Sequence, residues 1–200
     1  MATRRSTPKG RPRNAESTKQ RILAAASEEF SRHGFAGARI DRIAELAGAN
    51  KRMIYAYFGD KGQLYEAIME RRIAEWAEAV PFTPDDLGAY AAARFDYMRA
   101  NPDVRRLAAW RTFERSKPTA AERAIYQTRI DALAAAQRAG KVSTAIPAAD
   151  LYAMVARLTE SWLNAPPALQ ATSRAPLGSK RLAQHRKALV GAVRRISEPR

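Results

Sequence analysis

The chain has no cysteine and only two histidines, His33 and His185. Disulfides and thiolate chemistry are therefore excluded, and zinc, which takes nitrogen and sulfur ligands, has too few of them here. Neither a metal nor a cofactor is expected. Long apolar runs are also missing: nothing approaches the roughly 20 residues that cross a bilayer. Arg4 and Arg5 are followed by no apolar segment before Glu16, and Ile22 to Phe30 is interrupted by Glu28 and Glu29. No membrane partner and no export signal is expected, and the protein is expected to be cytoplasmic. No nucleophile elbow, phosphate loop or paired histidine and carboxylate motif occurs, so an enzyme is disfavoured and no residue is assigned a catalytic role.

Acidic residues are the next scarcity. Against 35 Lys and Arg stand 20 Asp and Glu, a net charge of +15, which points to a polyanionic partner. The surplus is uneven. Residues 1–60 carry 12 cations and 6 acids, residues 61–170 carry 15 and 13, and residues 171–200 carry 8 and 1. The near-neutral middle suits a ligand- or protein-contact domain. A length of 200 residues allows one large or two small domains with a real core.

What is present begins with Ile40 to Lys61, which reads as a helix, a tight turn and a second helix. Ile43, Ala44 and Ala47 form one apolar face, and Gly48 follows where that helix must stop, since glycine takes positive φ without a Cβ penalty. Asn50 is placed to cap the second helix, whose buried face is Met53, Ile54 and Phe58. Lys51, Arg52, Tyr55 and Tyr57 face outward. In a helix-turn-helix the second helix enters the DNA major groove, so its outward residues are donors. A solvated helix face would explain the cations but leaves two outward tyrosines without a reason.

The continuation Tyr55-x-x-Phe58-x-x-Lys61-x-x-Leu64 resembles the signature of the tetracycline-repressor (TetR) family. The resemblance runs from about Thr18 to about Ile68 and takes in Ile22, Leu23, Ala26 and Phe30 with the closing pair Gly34 and Phe35. The chain departs from that pattern in two respects. Ala38 and Arg39 stand where relatives carry a Ser or Thr cap, worth about 1 kcal/mol, and Arg52 stands where they carry a small residue. The resemblance implies that Tyr55 and Lys61 bind phosphates. Lys51 and Arg52 are the candidates for base contact, because their donors match the two major-groove acceptors of guanine. Arg39 is expected at phosphate and Arg42 at the surface. The DNA-binding set is thus Arg39, Asn50, Lys51, Arg52, Tyr55, Tyr57 and Lys61.

The expected architecture is all-α, with about nine helices: an N-terminal three-helix helix-turn-helix domain and a C-terminal helical ligand-binding and dimerisation domain. Residues 1–13, with five cations and no acid, are expected to form a flexible basic arm. The DNA-binding domain is expected over 14–60, with Ser17 to Gln20 as a capping box for its first helix. A connecting helix should cover 61–80, capped by Asp60 and Gln63, and the regulatory domain 81–200. Thr119 and Glu122 form another capping box. Pro166, Pro167 and Pro176 are expected to bracket a loop before a last helix from about Ser179 to Ile196.

In the second domain Tyr90, Arg94, Phe95, Met98, Trp110, Phe113, Tyr126 and Met154 are candidates to line an effector pocket, although ordinary core packing accounts for each of them singly. Arg94 falls within an apolar stripe, where a charge is costly unless paired. It is expected either to anchor an acidic effector or to pair with Glu114 or Glu160. The resemblance implies a homodimer joined through its last two helices, with Leu151, Val155, Leu158, Trp162, Leu182, Leu189 and Val193 as interface candidates. The cations of the last helix should lie outside that interface or meet acids such as Glu160. The expected function is a sequence-specific DNA-binding regulator, a repressor released from a palindromic double-stranded operator by a small-molecule effector. A DNA-binding adaptor or architectural protein without an effector is the alternative.

Overall fold

The computed structural model describes residues 11–114, 117–172 and 178–199. Among them are ten helices and no strand: α1 (Arg11–Gly37), α2 (Ile40–Ala47), α3 (Lys51–Phe58), α4 (Lys61–Ala79), α5 (Leu87–Ala100), α6 (Pro102–Glu114), α7 (Ala120–Arg138), α8 (Ala148–Glu160), α9 (Pro167–Thr172) and α10 (Ser179–Ser197). They form two compact units, one running to Arg72 and including Asp103–Lys117, the other made of Ile73–Pro102 and the chain from Pro118 onward.

The first unit is built on α1. This helix starts at Arg11, ahead of the expected cap at Ser17, so the Ser17 to Gln20 motif falls inside it. Gln20 donates to Glu16 Oε1 at 2.8 Å instead of closing a cap. Of the expected basic arm, residues 1–10 lie outside the described residues and 11–13 open α1. Ile22, Ala26 and Phe30 are fully buried against Ile43, Ile54, Leu64 and Tyr65. Regular helix ends at Gly34, whose φ of 67° is left-handed. A Cβ there would stand 2.9 Å from Glu114 and from the Trp110 ring, so glycine is required by conformation and by space. Glu114 Oε2 accepts the Phe35 N–H at 2.5 Å, meeting a backbone donor that the break would orphan.

α6 therefore belongs to the first unit, although the sequence suggests the regulatory half. Its Leu107 joins the α1 core, its Asp103 meets Arg72 at 2.9 Å, and its Arg111 meets Glu66 at 3.1 Å.

In the second unit α5 packs between α8 and α10, and α7 packs on α8. Tyr90, Phe95, Leu133, Leu151, Val155 and Val193 form its core. The caps expected at Asp86 and Thr119 are present: Asp86 Oδ1 accepts from Ala89 N at 2.9 Å, and Thr119 and Glu122 bond reciprocally. The helix beyond the expected number is α9. Proline at its first position has no N–H to lose and a preset φ, so Pro167 begins a turn of helix where the sequence suggests loop. Pro176 lies outside the described residues.

Candidate nucleic-acid interface

α2 has no side-chain cap, as the absence of Ser or Thr at Ala38 and Arg39 implies. Glu29 of α1 instead takes the backbone N–H of the cap residue itself. Glu29 Oε1 accepts the backbone N–H of Arg39 at 2.9 Å and the Nε of Arg42 at 2.7 Å, and Arg42 Nη2 also donates to the Gly37 carbonyl at 2.8 Å. Arg42 is thus a structural clamp more than a bare surface residue. Burial works to raise the Glu29 pKa, but the Arg42 and Arg39 hydrogen bonds and the charges of Arg42 and His33 outweigh it and hold the carboxyl below its ordinary range.

Gly48 closes α2 with φ 57° and ψ 40°, and its N–H returns to the Ala44 and Glu45 carbonyls. That turn delivers Asn50, whose Oδ1 accepts the Met53 N–H at 2.9 Å and caps α3. Ile54, 1% exposed, anchors α3 to the core, with Met53 and Phe58 half-buried beside it. The opposite side of this two-turn helix is open: Lys51, Arg52, Tyr55 and Tyr57 are all exposed. They are not equivalent. Lys51 is paired with Asp41 of α2, whereas Arg52 has no bond to any described residue. Tyr55 is 47% exposed, an unusual position for an aromatic whose side chain has no partner among the described residues.

Asp60 and Gln63 form the expected reciprocal cap at the start of α4, at 2.8 and 3.1 Å. Lys61 sits at that same terminus. Its ammonium lies 4.9 Å from the centroid of the Phe35 ring and 3.4 Å from the Ala36 carbonyl, which hold the cation beside the free N–H groups of the first turn. Arg39 is exposed, within 3.9 Å of Asp41. The arrangement presents an exposed guanidinium, two phenols and a positioned ammonium around one short helix, a set suited to phosphate and base-edge acceptors.

The pocket candidates of the second unit divide. Tyr90, Arg94, Phe95 and Met98 are buried along α5. Arg94 takes the pairing alternative: Nη2 meets Glu160 Oε1 at 2.5 Å and Nε donates to Thr159 Oγ1 at 3.0 Å. Trp110 and Phe113 belong to α6 in the first unit, and Phe113 is 84% exposed, so neither joins the others. Tyr126 and Met154 are substantially exposed on α7 and α8. The second unit carries a cavity open to solvent, of about 430 Å³, lined by Ala77, Phe82, Ala124, Ile125, Thr128, Arg129 and Ala132, with Ala124 and Thr128 exposed at its rim. Hydrophobic periodicity does not reveal these residues, because most are alanines or sit off the apolar stripes; Arg129, a charge buried on α7, carries no sequence signal of its burial.

Among the dimer candidates, Leu151, Val155, Leu189 and Val193 are buried in the chain's own core and have no surface left for a partner. Leu158, Trp162 and Leu182 keep partial exposure. The cations of α10 do not meet Glu160. Arg186 pairs with Asp96 at 2.8 Å, Arg194 lies 3.8 Å from Asp86, and Arg181 stacks 4.3 Å over Trp162, while Lys180, Lys187 and Arg195 are exposed.

A helical head whose capped third helix presents cations and phenols, followed by a separate helical unit, defines a helix-turn-helix DNA-binding regulator. Residues 22–68 match the profile of bacterial regulatory proteins of the tetR family. Residues 86–195 match that of the tetracyclin repressor-like C-terminal domain. The chain belongs to the tetR family. It is 44% identical over 143 residues to the HTH-type transcriptional repressor SCO4008 of Streptomyces coelicolor, covering 70% of this chain and 74% of that one. It is 35% identical over 96 residues to the regulator RutR of Escherichia coli, 48% of this chain and 45% of that protein. The solved structure of the regulator SCO4942 from Streptomyces coelicolor superposes with a TM-score of 0.80 at 37% identity, covering 92% of this chain and 99% of that one. Regulators of this family bind operator DNA and typically act as dimers.

Proposed function

We propose that the protein is a homodimeric repressor that occupies a palindromic operator and is released from it by a small-molecule effector. The observation that carries the reading is the exposed set on α3, with Arg52 bonded to no described residue beside Tyr55 and Tyr57. In this reading Arg52 donates to a guanine edge, Lys51 leaves Asp41 to meet DNA, Tyr55, Lys61 and Arg39 hold phosphates, and Asn50 sets the pitch of the helix through its cap. The name repressor carried by the relative SCO4008 supports the sign of regulation. An architectural coater would need only a diffuse basic surface, and the concentration of phenols and a free guanidinium on one helix favours site reading instead.

The dimer is proposed to use the outer faces of α8 and α10, where Met154 is 49% exposed and Ala153, Gln184 and Ala188 are open. Two-fold symmetry then presents two copies of α3 to one duplex. The effector is proposed to occupy the cavity beside Ala77, the part of α4 that lies in the second unit. α4 continues without interruption to Lys61, so it is the element proposed to carry the change. The effector acts only in so far as it favours the state that does not fit the operator; each tenfold loss of affinity needs about 1.4 kcal/mol of such preference.

Sedimentation equilibrium of the full chain, with Met154→Glu and Ala188→Glu for comparison, tests the assembly. Twice the chain mass, falling to one chain in the variants with at least a tenfold loss of DNA affinity, supports it. A chain that stays monomeric at micromolar concentration and binds DNA as a monomer overturns it.

A further inference from the structure

Two buried arginines of the second unit differ in how their charge is met. Arg94 has Glu160 at 2.5 Å. Arg129, 5% exposed, has only neutral partners. Its Nη1 donates to the Tyr90 and Tyr152 hydroxyls at 2.9 and 3.3 Å, its Nη2 donates to the Val80 carbonyl at 3.2 Å, and its guanidinium lies 3.9 Å from the Trp76 ring centroid. No carboxylate among the described residues forms an ion pair with it. The Tyr90 phenol does not supply the missing charge, because burial and then the neighbouring Tyr152 push its hydroxyl well above its ordinary range. Dipoles and a π face reduce the cost of a buried cation without neutralising it. Nε1 of Trp76, on the ring that Arg129 covers, is also buried and has no acceptor.

Arg129 forms part of the cavity wall. The volume of about 430 Å³ is in the range of small-molecule sites. The rest of the wall is apolar except Thr128, whose hydroxyl donates to the Ala124 carbonyl at 2.9 Å and so offers a ligand only an acceptor.

We infer that the effector is an apolar organic monoanion whose carboxylate meets Arg129 while its hydrocarbon part lies against Phe82 and Ile125. The inference rests on the effector reading above and names the ligand's class. A planar guanidinium matches the two oxygens of a carboxylate. A phosphate, with about −1.5 to −2 charges and three acceptor oxygens, would be left largely uncompensated by a single cation in an apolar wall.

Isosteric pairs of acid and amide separate charge from shape: benzoate and benzamide, 4-phenylbutyrate and 4-phenylbutyramide, octanoate and octanamide. Calorimetric titration into the full chain is expected to show at least one acid binding tenfold or more tightly than its amide. The preference should fall to near unity in Arg129→Met and survive in Arg129→Lys. Ala132→Phe, which fills the cavity and leaves Arg129 in place, should weaken acid and amide alike; it and Arg129→Lys carry the test if Arg129→Met does not fold. Equal binding of acid and amide overturns the anion class and leaves a cavity that takes small molecules. A preference that persists in Arg129→Met places the anion elsewhere and also overturns it. Binding of no member of the panel at millimolar concentration overturns it together with the cavity as effector site.

Discussion

Glu29 Oε1 accepts the Nε of Arg42 at 2.7 Å and, with the same oxygen, the backbone N–H of Arg39 at 2.9 Å. A carboxylate on α1 thereby ties down the residue that opens α2, a helix without a side-chain cap of its own. Glu29→Gln keeps the shape and removes the charge, and is expected to cost about 1–3 kcal/mol in urea unfolding. The sign with pH follows from the lowered pKa. The carboxylate's contribution is complete above its ordinary value of 4.5 and is lost as pH falls through the lower folded value, so native and variant proteins should converge in stability in acid.

Arg94 and Glu160 are both nearly buried and meet at 2.5 Å. Removing one partner strands the other, so Glu160→Ala should cost about 3–5 kcal/mol, whereas the double change Arg94→Met with Glu160→Leu should recover most of it. Denaturant midpoints of the three variants check this. A single variant as stable as the native chain would show that the pair is solvated.

Gly34 and Phe113 test the assignment of α6 to the first unit. Gly34→Ala imposes a strained φ and a clash with Trp110 and Glu114, and should destabilise by about 1–3 kcal/mol. Phe113→Ser alters a residue 84% exposed and should stay within about 0.5 kcal/mol of the native protein. Thermal unfolding distinguishes the two, and a large cost for Phe113→Ser would mean that its ring is covered.

On the outward face of α3, Lys51 begins from an ion pair with Asp41 and Arg52 begins free. Asp41→Asn should therefore leave base preference intact and change affinity little, by less than about 1 kcal/mol, as exposed pairs do. Electrophoretic titration at fixed salt measures it.

The head was legible because its constraints are local. The turn at Gly48, the cap at Asn50 and the Asp60 and Gln63 box each act within a few residues, and the spacing from Ile43 to Phe58 fixes which sides are buried. What escaped is long-range. Glu29 and Arg42 stand on different helices, and Glu114 reaches Phe35 from far along the chain, so no periodicity announces either contact. In the second unit, apolar residues spaced along one face of α8 say only that a face is buried, not what covers it. Leu151 and Val155 are covered by the chain itself, where the sequence suggested a second copy. Arg129 was missed for the complementary reason, since a cation held by phenols, a carbonyl and an indole has no signature in sequence.

The most direct measurement is selection of bound sites from random duplex DNA at fixed near-physiological salt, with the native chain and with Arg52→Ala. A palindromic motif is expected for the native protein. In the variant, relaxed preference at one position of each half-site and a loss of about 1–3 kcal/mol are expected. No enriched motif, with binding that depends only on salt, would contradict that expectation.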